Sequence, residues 1–344
     1  MTLVLGIESS CDETAVAIVA DDRRVLAERI ASQMEAHRPF GGVVPELAAR
    51  AHAERLQPMA RAVLDDAGVA LADIDAIAAT AGPGLIGGVM VGLVFGKALA
   101  YATGKPLFGI NHLEGHALSP RLVDPALRFP YLLLLVSGGH CQILTVEGIG
   151  RYRRMATTID DAAGEAFDKV ANMLGLGFPG GPAVERAALA GDPRAVPLPR
   201  PLTGSDEPHF SFAGLKTAVL RAVERGGHSA PDLAASFQQA VADCLVDRTR
   251  IAMRRRADAT ALVVAGGVAA NKAIRAQLQA LAMAHALPFV APPMRLCTDN
   301  AAMIAWAAHE RLAAGLAPDA DPQARPRWPL DPLAEAARGA GVKA

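Results

Sequence analysis

The chain has 344 residues, too many for one ordinary core and enough for two domains. Hydrophobic residues make up 51% and charged residues 20%, which excludes a disordered chain. Lysine plus arginine (34) nearly balances aspartate plus glutamate (35), so the net charge of −1 excludes a strongly basic coat for nucleic acid but leaves local patches open.

Residues 1–8 lack a basic leader and meet Glu8 too early for a signal peptide. Residues 3–9 are an apolar run, 9–14 a polar turn, and 15–19 apolar again, which reads as strand, turn, strand. The pattern returns at 131–136, 137–140 and 141–146, so the chain carries an internal duplication. Between the copies lie helical stretches near 46–67 and 84–103 and a buried strand at 76–80; alternating strands and helices indicate an α/β fold. Ala76 to Gly96 carries no charge and approaches the ~20 residues of a membrane span. Ala81-Gly82-Pro83-Gly84 breaks it early, so a buried strand, a turn and a soluble helix are expected, with no membrane partner. Gly84, Gly88, Gly92 and Gly96 recur on that helix. Each glycine costs ~1 kcal/mol relative to alanine, so another element, from this chain or from a partner subunit, is expected to approach closely.

Residues 191–210 are proline-rich and read as a long loop. A helix is expected over about 230–257, a buried strand at 261–265, a tight turn at 266–270 and a helix from Asn271. Residues 317–344 read as an irregular tail. Four cysteines (Cys11, Cys141, Cys244, Cys297) stand far apart without a CxxC pair, which fits a reducing compartment and opposes a zinc ribbon.

Three turns, at 9–14, 137–140 and 266–270, each follow an apolar strand, and the last two are rich in glycine. Exposed amides at such turns favour phosphate. Neither GxxxxGK[ST] nor GxGxxG in a strand–helix context occurs, so the fold that fits is the actin, Hsp70 and sugar-kinase type. His112-Leu113-Glu114-Gly115-His116 places two imidazoles one turn apart on a helix, a spacing that suits Zn²⁺ or Fe²⁺. Glu114 falls ~200° from His112 and is poorly placed as a base. In Cys297-Thr298-Asp299-Asn300, Asp299 suits either a helix cap or a carboxylate ligand, and Asn300 is the better cap by position, which leaves Asp299 freer. Asp168 suits ribose hydroxyls, a cation or a plain helix ion pair, and Lys216 suits phosphate or solvent. Arginine clusters at 151–154 and 248–256 suit either a solvated face or an RNA backbone.

The motifs GIESSCDET (6–14), TAGPGLIGG (80–88), NHLEGH (111–116), LVSGGH (135–140), GEAFDKV (164–170), GFPGGP (177–182), FSFAGLK (210–216), GGVAAN (266–271) and CTDNAAMIA (297–305) follow one another in order. Together the chain resembles, from about Leu3 to Leu330, the TsaD family of bacterial tRNA threonylcarbamoyladenosine transferases. The resemblance implies an actin-like fold (ASKHA: actin, Hsp70, sugar kinase) of two duplicated α/β lobes. Residues 1–110 with about 296–330 would form the first lobe, 111–295 the second, and 331–344 a tail. It implies one divalent metal, iron or zinc, on His112, His116 and Asp299, with Mg²⁺ as a companion of bound nucleotide. Leu135, Val136, Ser137, Gly138, Gly139, Asp168, Gly181 and Asn271 would contact threonylcarbamoyl-adenylate. The implied partners are tRNA and the proteins TsaB and TsaE, and the implied location is the cytoplasm. Ala213, Cys141 and Glu185 depart from the residues usual in the family, and none of them touches the metal triad. No side chain is expected as a covalent nucleophile, Cys11 and Ser137 included. A metalloprotease would require HExxH, a generic actin-fold kinase has no use for the His–His–Asp set, and a non-catalytic scaffold would be expected to lack it.

Overall fold

A computed structural model describes residues 1–40 and 42–335. The chain divides into two compact units, Met1–Ala126 with Pro292–Pro332, and Leu127–Ala291 rejoined from Leu333. The first unit runs β1 (Leu3–Glu8), β2 (Glu13–Ala20), β3 (Val25–Ser32), α1 (Met34–His37), α2 (Pro45–Ala67), β4 (Ala76–Gly82), α3 (Ile86–Thr103), β5 (Leu107–Asn111) and α4 (His112–Val123). The second holds β6 (Tyr131–Val136), β7 (Cys141–Gly148), β8 (Arg151–Thr157), α5 (Ala163–Met173), α6 (Gly180–Ala188), α7 (Ala213–Arg225), α8 (Ala230–Arg255), β9 (Leu262–Ala265), α9 (Lys272–Ala284) and β10 (Phe289–Val290). The chain then returns to the first unit through α10 (Met294–Cys297) and α11 (Ala301–Ala313).

The two sheets have one topology. Their orders are β3-β2-β1-β4-β5 and β8-β7-β6-β9-β10. In each, the first three strands in sequence are antiparallel neighbours, and the next two add in parallel beside the first. The duplication read from the two hairpins therefore extends to the whole sheet, and the fold is actin-like. Both central strands are apolar because both of their faces are covered: every residue of β1 and β6 is buried.

Small residues set the layer spacing in the first unit. A Cβ at Gly6 on β1 would stand 2.3 Å from the Ala301 carbonyl oxygen and 2.9 Å from the Ala305 Cβ. Alanines on α11 therefore lie directly on the strand, and Ala301–Ala308 are all buried. On α3, a Cβ at Gly88 would come 2.4 Å from the Ser9 carbonyl oxygen, at Gly92 2.1 Å from Ser9 Oγ, and at Gly96 2.9 Å from Ala79 Cβ. The glycine face is thus absorbed by this chain's own Ser9, which follows β1, and by β4, not by a partner. Gly84 precedes α3 and meets Ser10 instead. By length and composition α3 is apolar enough to cross a bilayer, and its glycine face is the one packed on the sheet.

One boundary differs from the sequence reading. The first unit runs on through Ala126 rather than ending at 110. The reason is α4, which packs on α11: a Cβ at Gly115 would stand 3.0 Å from Ile304 Cδ1, and Arg121 pairs with Glu310 at 2.7 Å. The tail, read as irregular from 317, has no regular element through Glu335, and it is tied to the first unit's sheet. Arg325 N donates to the Ala81 carbonyl, Gly109 N to Asp319, and Asn111 Nδ2 to the Trp328 carbonyl. The rest of the expected 331–344 tail, from 336, lies outside the described residues.

Candidate functional site

Two caps create the first constellation. The Asn111 side chain accepts from Leu113 N (2.9 Å), so α4 begins at His112. Asn300 accepts from Met303 N (2.9 Å) and caps α11, as its position in the sequence required. That leaves the Asp299 carboxylate free to turn toward α4. Its Oδ1 lies 3.1 Å from His116 Nε2 and 3.4 Å from His112 Nε2. One ligand atom from each of the three residues can be chosen with all three within 4.8 Å of one another. His112 and His116 are 5% and 1% exposed. With the unit boundary at 126, the whole triad belongs to the first unit.

Three further residues, absent from the sequence reading of this site, stand behind His112. Glu8 Oε2 accepts from His112 Nδ1 at 2.9 Å, Ser10 Oγ lies 3.1 Å from the same nitrogen, and Thr80 Oγ1 donates to Glu8 Oε2 at 2.6 Å. Their one sequence signal is Glu8 itself, a carboxylate closing a strand that is otherwise wholly apolar. Glu114 turns away to pair with Arg311 at 2.6 Å, which removes it as a base here.

Burial penalises the charge on His112, yet the carboxylates of Asp299 and Glu8 outweigh it and hold the imidazole well above its ordinary value. Burial likewise opposes the charge on Asp299, and His112 and His116 outweigh it, holding the carboxyl well below the usual range. Glu13 is half-buried, and its loss of water together with the charges of Asp299 and Asp12 pushes it up to about 9. Burial also raises the Cys11 thiol well above its usual value, so it is no ready nucleophile. The surroundings carry more negative than positive charge. His116 Nδ1 is buried without a hydrogen-bond partner. Two imidazoles and one carboxylate, with ligand atoms this close together, are a donor set that fits a divalent Zn²⁺ or Fe²⁺.

The second constellation lies in the second unit. Ser137–His140 forms the β6–β7 turn, closed by Ser137 N to the His140 carbonyl (2.8 Å) and His140 N to Ser137 Oγ (3.1 Å). Gly266 presses on it: φ is +94°, and a Cβ would stand 2.4 Å from the Val136 carbonyl oxygen. Gly164 at the start of α5 presses from another side, with a Cβ 2.6 Å from the Ser137 carbonyl oxygen. By contrast, Gly138, Gly139, Gly181 and Gly267 face open space, so a ligand can approach their backbone. Asp168 Oδ1 accepts from Gly180 N at 2.8 Å. Asn271 caps α9 through Ile274 N (3.0 Å) and donates to Gln238 (2.7 Å), while Lys272 N donates to Glu185 (2.7 Å). The expected ligand-binding positions in this unit therefore converge through a chain of close contacts. Leu135 and Val136 have side chains buried in the core, so only their backbone can meet a ligand.

The model of the TsaD family, tRNA N6-adenosine threonylcarbamoyltransferase, matches residues 24–306. The chain belongs to the TsaD family. It is 73% identical to the tRNA N6-adenosine threonylcarbamoyltransferase of Sphingopyxis alaskensis over 344 residues, with 100% of both chains covered. It is 69% identical to that of Novosphingobium aromaticivorans, again over 100% of both. Solved structures share the fold at low identity. Component A of the Acidaminococcus fermentans (R)-2-hydroxyglutaryl-CoA dehydratase matches with a TM-score of 0.55 and 16% identity, over 91% of this chain and 100% of that one. HypF of T. kodakarensis matches with a TM-score of 0.63 and 15% identity, over 92% of this chain and 48% of that one.

Two other candidates have structural employment in this TsaD chain. Lys216 pairs with Asp161 at 2.9 Å beside Lys169, rather than standing free for phosphate or solvent. The arginine run on α8 is partly internal: Arg248 is 2% exposed and bound to Asp247 and the Glu207 carbonyl, and Arg256 pairs with Glu147 and Asp258. Arg151 and Arg154, on the edge strand β8, bind the carbonyls of Glu147 and Glu335.

Proposed function

We propose that the chain transfers the threonylcarbamoyl group of threonylcarbamoyl-adenylate to the N6 amine of the adenosine 3′ of the anticodon, in tRNAs that read codons beginning with adenine. The new bond joins N6 to the carbamoyl carbon. The bond from that carbon to the adenylate phosphate oxygen breaks, and AMP leaves. The observation that carries this reading is full-length likeness to the named transferases, joined to a His–His–Asp set whose two histidines are buried.

His112, His116 and Asp299 would hold one divalent ion, which supplies Lewis acidity to polarise and orient a bound oxygen ligand. The amides of Gly138 and Gly139, the start of α6 at Gly181, Asp168 and Asn271 would hold the AMP part. That assignment is supported by the open approach to these glycines and by the family resemblance. Asp168 and Asn271 already hold helix starts, so their role there is to keep the turns in place as well as to meet the ligand. Transfer needs no covalent enzyme intermediate, since the attacking amine belongs to the tRNA. The raised thiol of Cys11 agrees with this. TsaB and TsaE are the expected partner proteins, on the family resemblance. A cytoplasmic location is supported by the tRNA substrate and by four cysteines that are all free thiols.

The test is to incubate the purified chain with threonylcarbamoyl-adenylate, unmodified tRNA and the two partner proteins, and to read threonylcarbamoyladenosine by mass spectrometry. Product that requires this chain is expected. Its absence, with partners proven active beside another TsaD protein, overturns the reading.

A further inference from the structure

The carboxylate of Glu8 is fully buried, at the end of a strand whose other residues are all apolar. A lone charge in such a place costs several kcal/mol, so its partners must justify it. Glu8 Oε1 accepts from the Ser10 amide at 2.6 Å. Its Oε2 accepts from Thr80 Oγ1 at 2.6 Å and from His112 Nδ1 at 2.9 Å. Thr80 sits on β4, the parallel neighbour of β1, so the sheet itself aims both residues at one point. The opposite ring nitrogen of His112, Nε2, points at Asp299.

We propose that Glu8 is a positioning residue for the metal: it holds the His112 ring with a proton on Nδ1 and so commits Nε2 as the ligand atom. The inference rests on the reading that His112, His116 and Asp299 bind a divalent ion. The physical basis is general. A carboxylate behind a ligating imidazole fixes its tautomer and orientation and makes the other nitrogen a better donor. Thr80 and Ser10 fix the carboxylate in turn, and Ser10 Oγ closes the space beside Nδ1. A merely structural Glu8, one that only anchors the 9–14 turn through the Ser10 amide, would have no reason to face the His112 ring. It would leave metal affinity untouched.

The test uses the full-length chain and zinc or cadmium as probes. Zinc affinity is measured by chelator competition for the unchanged chain, Glu8→Gln and Thr80→Val, with the melting temperature of each metal-free protein as the fold control. Glu8→Gln keeps the shape and removes the charge. It is expected to weaken zinc binding by about 10–100-fold, the usual effect of losing such a partner. Thr80→Val is expected to weaken it less. Equal affinity in Glu8→Gln and the unchanged chain overturns the proposal and leaves the metal site standing. No chelator-reversible zinc binding by the unchanged chain overturns both. Should Glu8→Gln fail to fold, NMR of labelled histidines in the cadmium-loaded unchanged chain decides. Metal coupling at His112 Nε2 with a proton on Nδ1 is expected, and coupling at Nδ1 overturns the proposal.

Discussion

Asp299 Oδ1 lies 3.1 Å from His116 Nε2, although the two residues are 183 positions apart in sequence. The contact exists because α11 returns from the end of the chain to pack on α4, and because Asn300, not Asp299, caps that helix. Removing any one of the three side chains should therefore remove the ion and leave the fold. His112→Ala, His116→Ala and Asp299→Asn are each expected to lower zinc or iron content to background. Transfer should fall by on the order of 100-fold or more. Metal analysis of the purified variants, with melting curves beside it, checks this.

Asn300→Ala separates the cap from the ligand. It should destabilise the first unit by about 0.5–2 kcal/mol through the lost bond to Met303 N. It should also weaken metal binding, because Asp299 is presented by the turn that Asn300 fixes. Denaturant unfolding and metal titration of the same sample measure the two effects.

The α3 glycines should tolerate no larger side chain. At Gly92 even a Cβ meets Ser9 Oγ at 2.1 Å, and Ser9 Oγ donates to the Gly88 carbonyl. Gly92→Ala is expected to cost about 1–3 kcal/mol by overpacking, despite alanine's better helix propensity. Gly104→Ala, with open space around it but φ of +67°, should cost less and through the backbone alone. Midpoints of urea unfolding compare them.

Acid should destabilise the first unit through its buried neutral histidines. Burial holds His309 and His52 below the ordinary histidine value of 6.5, against hydrogen bonds to the Val19 and Cys11 carbonyls. At these two groups the unfolded chain binds more protons than the folded one, so their contribution to stability rises with pH in that range, opposite in sign to that of the raised Glu13 carboxyl. The histidine contribution is complete above about pH 6.5 and falls as pH drops below it. The melting temperature of the unchanged chain, relative to that of His309→Gln, should therefore rise with pH between about 5 and 6.5.

Much of this architecture was legible because duplication is visible in residue pattern. The hairpins at 3–19 and 131–146, the buried strands at 76–80 and 261–265, and the cap Asn300 all appear where local chemistry required them. The gathering of His112, His116 and Asp299 was legible too, since HxxxH spacing and a freed Asp299 are local signals. What pairs across the fold was not. Glu8 behind His112 is set by strand order, and Lys216 on Asp161 by a loop crossing. The glycine face of α3 admitted two neighbours, and only packing decided between them. The unit boundary was misplaced because α4 follows β5 in sequence but packs on α11, which comes nearly two hundred residues later.

The most direct test of the account is transfer itself under metal control. The chain is stripped of metal by dialysis against a chelator. It is then assayed with threonylcarbamoyl-adenylate, tRNA and the partner proteins, before and after zinc or iron is returned. Modified nucleoside that disappears on stripping and returns with one of the two metals is the predicted result. Undiminished product from metal-free protein would contradict the role given to His112, His116 and Asp299.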